Sequence, residues 1–177
     1  MEEENKYKQF LELVAGRYSC RNYKDMPVSE DLILKIIEAA RLAPSAVNRQ
    51  PWKFLILDTP ELKQSVIDCY SRDWVKTAPV FIVALGDHSS AWHRGGDNKD
   101  HTDVDLSIAV EHICLAASSL NLGSCWICNF DADKFKRELN IPSDLEPVAI
   151  IPIGYPADTV IEKKRKPIEE IVKWGGF

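Results

Sequence analysis

Apolar residues recur along this chain at two periods. Tyr7, Phe10, Leu11 and Val14 are spaced by three and four, which predicts a helix over residues 4–15 with one apolar stripe, ended at Gly16. Leu32, Ile33, Ile36, Ile37 and Ala40 predict a second helix. Ser29 is its expected N-cap, Glu30 and Asp31 suit its first turn, and Pro44 stops it. From Val104 to Leu122 the chain is apolar almost all round, so this helix is expected to be buried on every side. One copy of a chain of 177 residues has little room for that, which points to a core helix that also faces a second copy. Thr102 and Asp105 fit a capping pattern at its start. Further helices are expected from Pro60 to about Tyr70 and from about Ala132 to Leu139. Phe54–Leu57, Pro79–Leu85, Cys125–Cys128 and Pro147–Gly154 read as short buried strands, the first with both faces covered. Helices alternating with four such strands predict an α+β or α/β protein with one mixed sheet. No repeat, low-complexity stretch or linker breaks the pattern, so residues 1–177 are expected to form a single domain.

The polar stretches carry the candidate chemistry. Arg17-Tyr18-Ser19-Cys20-Arg21 follows the first helix. If extended, it points Arg17, Ser19 and Arg21 one way, with Tyr18 and Cys20 the other. Two guanidinium forks and a hydroxyl on one face suit phosphate or carboxylate oxygens; the plainer reading is surface arginines paired with nearby acids. Pro44 to Trp52 is a connector with two prolines, polar at Ser45, Asn48 and Gln50; Gln50 precedes Pro51 and is therefore expected to be extended. Asp87 to His101 is polar, contains glycine and three histidines, and reads as a long mobile loop. Lys163-Lys164-Arg165-Lys166 is a compact basic run, either a solvated tail or half of an anion site.

Composition narrows the function. A net charge of −5 argues against general nucleic-acid binding. The start, Met1-Glu2-Glu3-Glu4-Asn5, does not read as a secretory signal, and Val80–Leu85 is too short to span a membrane. Five scattered cysteines fit a reducing cytoplasm better than a disulfide framework. Cys125-x-x-Cys128 lies within an expected strand, not at a strand-to-helix junction, so buried structural cysteines are favoured over a redox or metal pair. His88, His93, His101 and His112 have no metal-binding spacing, and His112 reads as a satisfied core histidine. No glycine-rich phosphate loop or nucleophile elbow is present, so a phosphate-bearing cofactor would need side chains to hold it.

Taken together, the motifs resemble the FMN-dependent nitroreductase family, in order and over nearly the whole chain. Arg-x-Ser-x-Arg follows the first helix, and Pro44-Ser45-x-x-Asn48-x-Gln50-Pro51-Trp52 follows the second. The apolar helix runs into Leu122-Gly123-Ser124-Cys125-Trp126-Ile127 and then Asn129-Phe130-Asp131; Gly154-Tyr155-Pro156 and Lys163–Pro167 close the match. Each motif is weak alone; five in register are specific.

The resemblance implies a three-layer α+β fold and a homodimer with FMN sites built from both protomers. It implies that Arg17, Tyr18, Ser19, Arg21, Lys163 and Arg165 come from one protomer. Arg17 and the tail cations would hold the flavin phosphate, and Arg21 would approach the ring near N1. Pro44, Ser45, Ala46, Asn48 and Gln50 would come from the other. Trp126 and the backbone at Cys128 and Asn129 would lie near the ring. At Cys128 and Asn129 the chain departs from the acidic residue and glycine common in the family. The implied activity is a ping-pong two-electron transfer from NAD(P)H to a small acceptor such as a nitroaromatic, quinone or activated alkene. No residue acts as a catalytic acid or base, because the cofactor carries the chemistry. Two other readings remain open: a flavin-binding or flavin-processing protein without reductase activity, and a thiol–disulfide protein using Cys125 and Cys128. The chain is short for the family, so the Asp87–His101 loop is expected to cover the site, with Trp92 as a lid residue.

Overall fold

A computed structural model describes residues 2–160 and 162–176. Its centre is a four-stranded sheet in the order β1-β2-β4-β3, from β1 (Trp52–Leu57), β2 (Val80–Asp87), β3 (Gly123–Ser124) and β4 (Leu145–Gly154). These four strands pair antiparallel. The parallel component is one bridge, Ser19 to Ser124, which adds the segment after the first helix to the β3 edge.

Strand alternation builds the layers. Ile82 and Ala84 of β2, with Ile151 and Ile153 of β4, pack with α2 (Glu30–Arg41) and α4 (Thr102–Ser119). Phe81, Val83 and Leu85, with Ile150, face the other way against Val66 of α3 (Pro60–Cys69) and Phe135 of α5 (Ala132–Glu138). Side chains on alternate faces thus make two cores, giving the three-layer α+β arrangement. Ser29 and Thr59 cap α2 and α3, each accepting the N–H three residues on.

Several expectations change. Strand β1 is an edge strand and only Leu57 of it is fully covered, so Phe54–Leu57 is not buried on both faces. The Cys125–Cys128 strand shortens to Gly123–Ser124 plus a bridge from Ile127 to Ile150. Thr102 does not cap α4; it is the first helical residue, and the Asp100 carboxylate accepts its N–H at 2.7 Å. Helix α1 (Glu2–Gly16) forms, but its stripe is uncovered: Tyr7, Phe10, Leu11 and Val14 are exposed. Helix α4 buries Leu106, Ala109, Val110, Ile113 and Ala117 but leaves Val104 exposed and Ile108, Leu115 and Ala116 half-buried, so one copy does not cover it on every side. A short helix, α6 (Ile168–Ile171), was not evident from the pattern.

The 88–101 segment is folded back on itself, not a featureless loop. His93 bridges Asp100, Arg94 and Lys99 are hydrogen bonded through their backbones, and His101 N–H reaches the Trp92 carbonyl at 3.1 Å. No helix among the described residues is long and apolar enough to cross a membrane.

Candidate functional site

Residues 17–21 form a strap across the β3 edge of the sheet. Arg17 N–H donates to Leu13 O and closes α1, and Cys20 N–H donates to Ser124 O at 2.9 Å. The strap lies close because β3 begins at a glycine: a Cβ on Gly123 would sit 2.6 Å from Cys20 Sγ. Alternation holds at the end of the strap, with Cys20 fully buried and Arg21 exposed. Chain leaving β4 runs beside the strap, with Lys24 N–H on Tyr155 O and Ala157 N–H on Asn22 O, both at 2.8 Å.

These two segments enclose a cleft of about 280 Å³ lined by Arg17, Tyr18, Ser19, Arg21, Asp158, Thr159, Lys163 and Arg165. The strap and the basic tail, 146 residues apart from Arg17 to Lys163, therefore share one site. Tyr18 lines it too, although alternation had turned Tyr18 away from the arginines. Its hydroxyl donates to the Asp158 carboxylate at 2.7 Å.

Four cations meet one carboxylate here. Arg17 Nε lies 3.8 Å from Glu111 Oε1, is buried and makes no hydrogen bond. Arg21 Nη1 reaches only the Ser19 carbonyl, at 3.3 Å, and Arg165 Nη1 only the Lys164 carbonyl, at 3.1 Å. Lys163 Nζ donates to the Ala15 and Arg17 carbonyls, so it also closes the C-terminus of α1. Burial holds its pKa below the ordinary lysine value, and repulsion from Arg17 and Arg165 adds to this. Among the described residues, no carboxylate forms an ion pair with Arg21 or Arg165. Such a cluster of unneutralised charge is stabilised by an anion.

Asp158 is the residue that sequence reasoning missed. Its two oxygens accept the Tyr18 hydroxyl, the Cys20 thiol at 3.1 Å and the Arg21 N–H at 2.7 Å. Burial disfavours its charge, yet these hydrogen bonds outweigh burial and hold its pKa below the usual value. A lone Asp in a charged tail carries no pattern that would have signalled this.

The second group sits elsewhere in the chain. A 3-10 turn at Ala46–Asn48 lies between Pro44 and Gln50, and Val47, Asn48 and Gln50 all have positive φ, at 53°, 55° and 50°. Gln50 is thus left-handed, not extended as its proline neighbour suggested: its N–H is drawn to Ser45 Oγ at 2.9 Å, and its side chain donates to Asn48 Oδ1. Three such residues in four mark a backbone held in shape by its surroundings. Asp105, buried in the first turn of α4, accepts the Ala46 N–H on both oxygens at 3.0 and 3.1 Å. This is the work of Asp105, in place of the capping role expected for it. Arg49 ties the connector to the next loop through the Ser90 and Ala91 carbonyls.

Trp126 is half-buried beyond β3, and Cys128 and Asn129 are exposed. Neither they nor Pro44, Ser45, Ala46, Asn48 and Gln50 line the cationic cleft of the same chain. Cys125 is buried and Cys128 is not, which corrects the expectation of two buried cysteines. Burial pushes the Cys125 thiol pKa up, the opposite of what an attacking thiolate needs. His112 is satisfied by the Ala39 carbonyl at 3.0 Å. Trp92, the expected lid residue, is half-buried and packs edge-on against His101.

The chain is thus a three-layer α+β protein with a cationic, serine-bearing cleft at its sheet edge. Comparison with known proteins makes this specific. The nitroreductase family model matches residues 14–69 and 62–155, and the chain belongs to that family. It is 36% identical over 153 residues to a Methanothermobacter thermautotrophicus protein provisionally named NADH dehydrogenase/NAD(P)H nitroreductase, covering 84% of this chain and 78% of the relative. A crystal structure of a nitroreductase family protein from Clostridium difficile superposes with a TM-score of 0.89 at 35% identity, covering 95% and 99% of the two chains. A provisionally named nitroreductase from Exiguobacterium sibiricum, solved in complex with FMN, superposes with a TM-score of 0.85 at 25% identity, covering 93% and 96%.

Proposed function

We propose that this chain is an FMN-dependent NAD(P)H oxidoreductase that acts as a homodimer on small electron acceptors such as nitroaromatics, quinones or activated alkenes. The observation that carries the reading is the convergence of Arg17, Ser19, Arg21, Lys163 and Arg165 on one cleft. The buried Arg17 Nε there has no hydrogen-bond partner of its own. An orphaned, charged donor is costly unless a ligand oxygen completes it, and a flavin phosphate has the right charge and valence.

When bound, FMN supplies the hydride chemistry between nicotinamide and acceptor. The residues do the rest. Arg17, Lys163 and Arg165 neutralise the phosphate. Arg21, whose guanidinium has no carboxylate partner among the described residues, offers fixed positive charge where the reduced ring becomes anionic. Pro44, Ser45, Ala46, Asn48 and Gln50 shape the other side of the pocket from the second protomer, and Trp126 with the backbone at Cys128 and Asn129 lies near the ring. No side chain of the cleft is needed as a general acid or base, and both reactants can use one pocket in turn.

Support for the dimer comes from what one copy leaves uncovered. Tyr7, Phe10, Leu11 and Val14 on α1 and Ile168, Ile171, Val172 and Trp174 in the tail are exposed, the last to 94%. Exposed apolar surface on this scale, on α1 and on the tail, supports contact with a second copy.

The test is spectroscopic. The purified chain is expected to be yellow, to bleach with NADH or NADPH, and to recover colour with an acceptor. A colourless chain that takes up no added FMN would refute the reading. A yellow chain that neither nicotinamide reduces would leave a flavin-binding protein without reductase activity.

A further inference from the structure

We infer that Asp158 is a positioning residue: it holds the strap so that the Arg21 guanidinium faces the cleft free of any carboxylate. The inference rests on the flavin-binding reading for its functional consequence, but not for its geometry.

A carboxylate among four cations would ordinarily collapse onto one of them. Asp158 does not. Its Oδ2 takes the Arg21 backbone N–H at 2.7 Å, and its Oδ1 takes the Tyr18 hydroxyl at 2.7 Å and the Cys20 thiol at 3.1 Å. Three neutral donors thus occupy both oxygens. The side chain bonds the backbone of the very residue whose guanidinium it leaves unpaired. Hydrogen bonds to a charged acceptor are the strong ones, and three on one group fix the strap at Tyr18, Cys20 and Arg21. Asp158 itself is anchored by the run beside the strap, through Ala157 N–H on Asn22 O at 2.8 Å. The arrangement couples the tail to the strap: Asp158 sits five residues before Lys163, whose Nζ grips the Arg17 carbonyl from the other end.

The sign of the effect separates this role from the alternatives. If Asp158 acted on the flavin only through its own negative charge, Asp158→Asn would favour the anionic reduced state and raise the midpoint potential. If it served only fold stability, the flavin that stays bound would keep its potential. A positioning role predicts a fall, because the loosened strap withdraws the Arg21 cation.

The test uses the full chain as purified. Asp158→Asn is expected to weaken the preference for reduced flavin by roughly tenfold, which for a two-electron couple is about 30 mV lower. Cys20→Ala is the second variant. Cys20 is buried and does not line the cleft, so its effect can reach the flavin only through the strap that Asp158 holds. A smaller fall of the same sign is expected. A raised or unchanged potential in Asp158→Asn overturns the inference, and if that variant retains no flavin, an unchanged potential in Cys20→Ala does so. If the parent chain itself holds no flavin, the functional reading fails, and amide exchange at Arg21 then decides the positioning role alone. Asp158→Asn is expected to speed that exchange roughly tenfold, and unchanged exchange rejects the clamp.

Discussion

Arg17 and Arg21 sit four residues apart on one strap, yet the structure gives them different surroundings. Arg17 is half-buried, with Glu111 at ion-pair distance and an Nε without a hydrogen bond; Arg21 is exposed, and among the described residues its guanidinium meets a backbone carbonyl. We therefore expect different phenotypes. Arg17→Ala should weaken flavin retention by roughly 10–100-fold, the scale of a lost charge-assisted contact, read as flavin released on gel filtration. Arg21→Ala should keep most flavin but lower its midpoint potential, by about 30 mV for each tenfold loss of preference for the reduced state. Equal behaviour of the two variants would show that the labour is not divided. At this scale the sequence was informative where charge type and spacing carried the message. Arg17, Ser19, Arg21, Lys163 and Arg165 stood out in the sequence as polar motifs, the family resemblance grouped them, and all five line one cleft. Asp158 and Asp105 were not, since each acts on backbone N–H groups of a segment far away in sequence, and nothing in an isolated Asp reveals its partner.

At the scale of elements, the connector from Pro44 to Trp52 depends on α4. Asp105 is buried and has the Ala46 N–H on both oxygens. Asp105→Ala should leave that N–H unsatisfied and cost about 1–3 kcal/mol. Acceptor KM should rise more than kcat falls, because the pocket wall moves while the hydride chemistry stays with the cofactor. Thermal unfolding and steady-state kinetics check both parts.

The 88–101 segment is expected to respond to pH through His88. Hydrogen bonding to Asp100 raises the His88 pKa above its ordinary 6.5, with Glu146 adding to it against burial. A raised folded-state pKa means that the stabilisation is complete below about 6.5 and is lost as pH rises through the folded value. Protease resistance of this segment should therefore decline from near-neutral pH upward, and His88→Gln should flatten that decline. A segment equally resistant at all pH values would contradict the account. Helix periods and strand runs located most elements correctly. The errors were in context: proline's local rule at Gln50 yielded to the hydrogen bond its N–H donates to Ser45 Oγ, and the apolar β1 proved to be an edge strand because pairing order is not written in a single run.

At the scale of the molecule, the fold leaves a conspicuous debt of apolar surface on α1 and the tail. The chain should sediment at twice its own mass. Phe10→Glu combined with Leu11→Glu should convert it to single chains and release flavin, even though neither residue lines the cleft. A flavin-saturated monomer would argue that one chain completes the pocket. The apolar character of the long helix was readable in the sequence, whereas the uncovered state of the α1 stripe was not, since periodicity tells which face is apolar and not what covers it.

The account stands most directly on an anaerobic absorbance titration of the purified chain with NADH and, separately, NADPH. It predicts a flavin band that at least one nicotinamide bleaches with one two-electron equivalent per flavin, and that a quinone or nitroaromatic then restores. A flavin band left intact by both nicotinamides would contradict it.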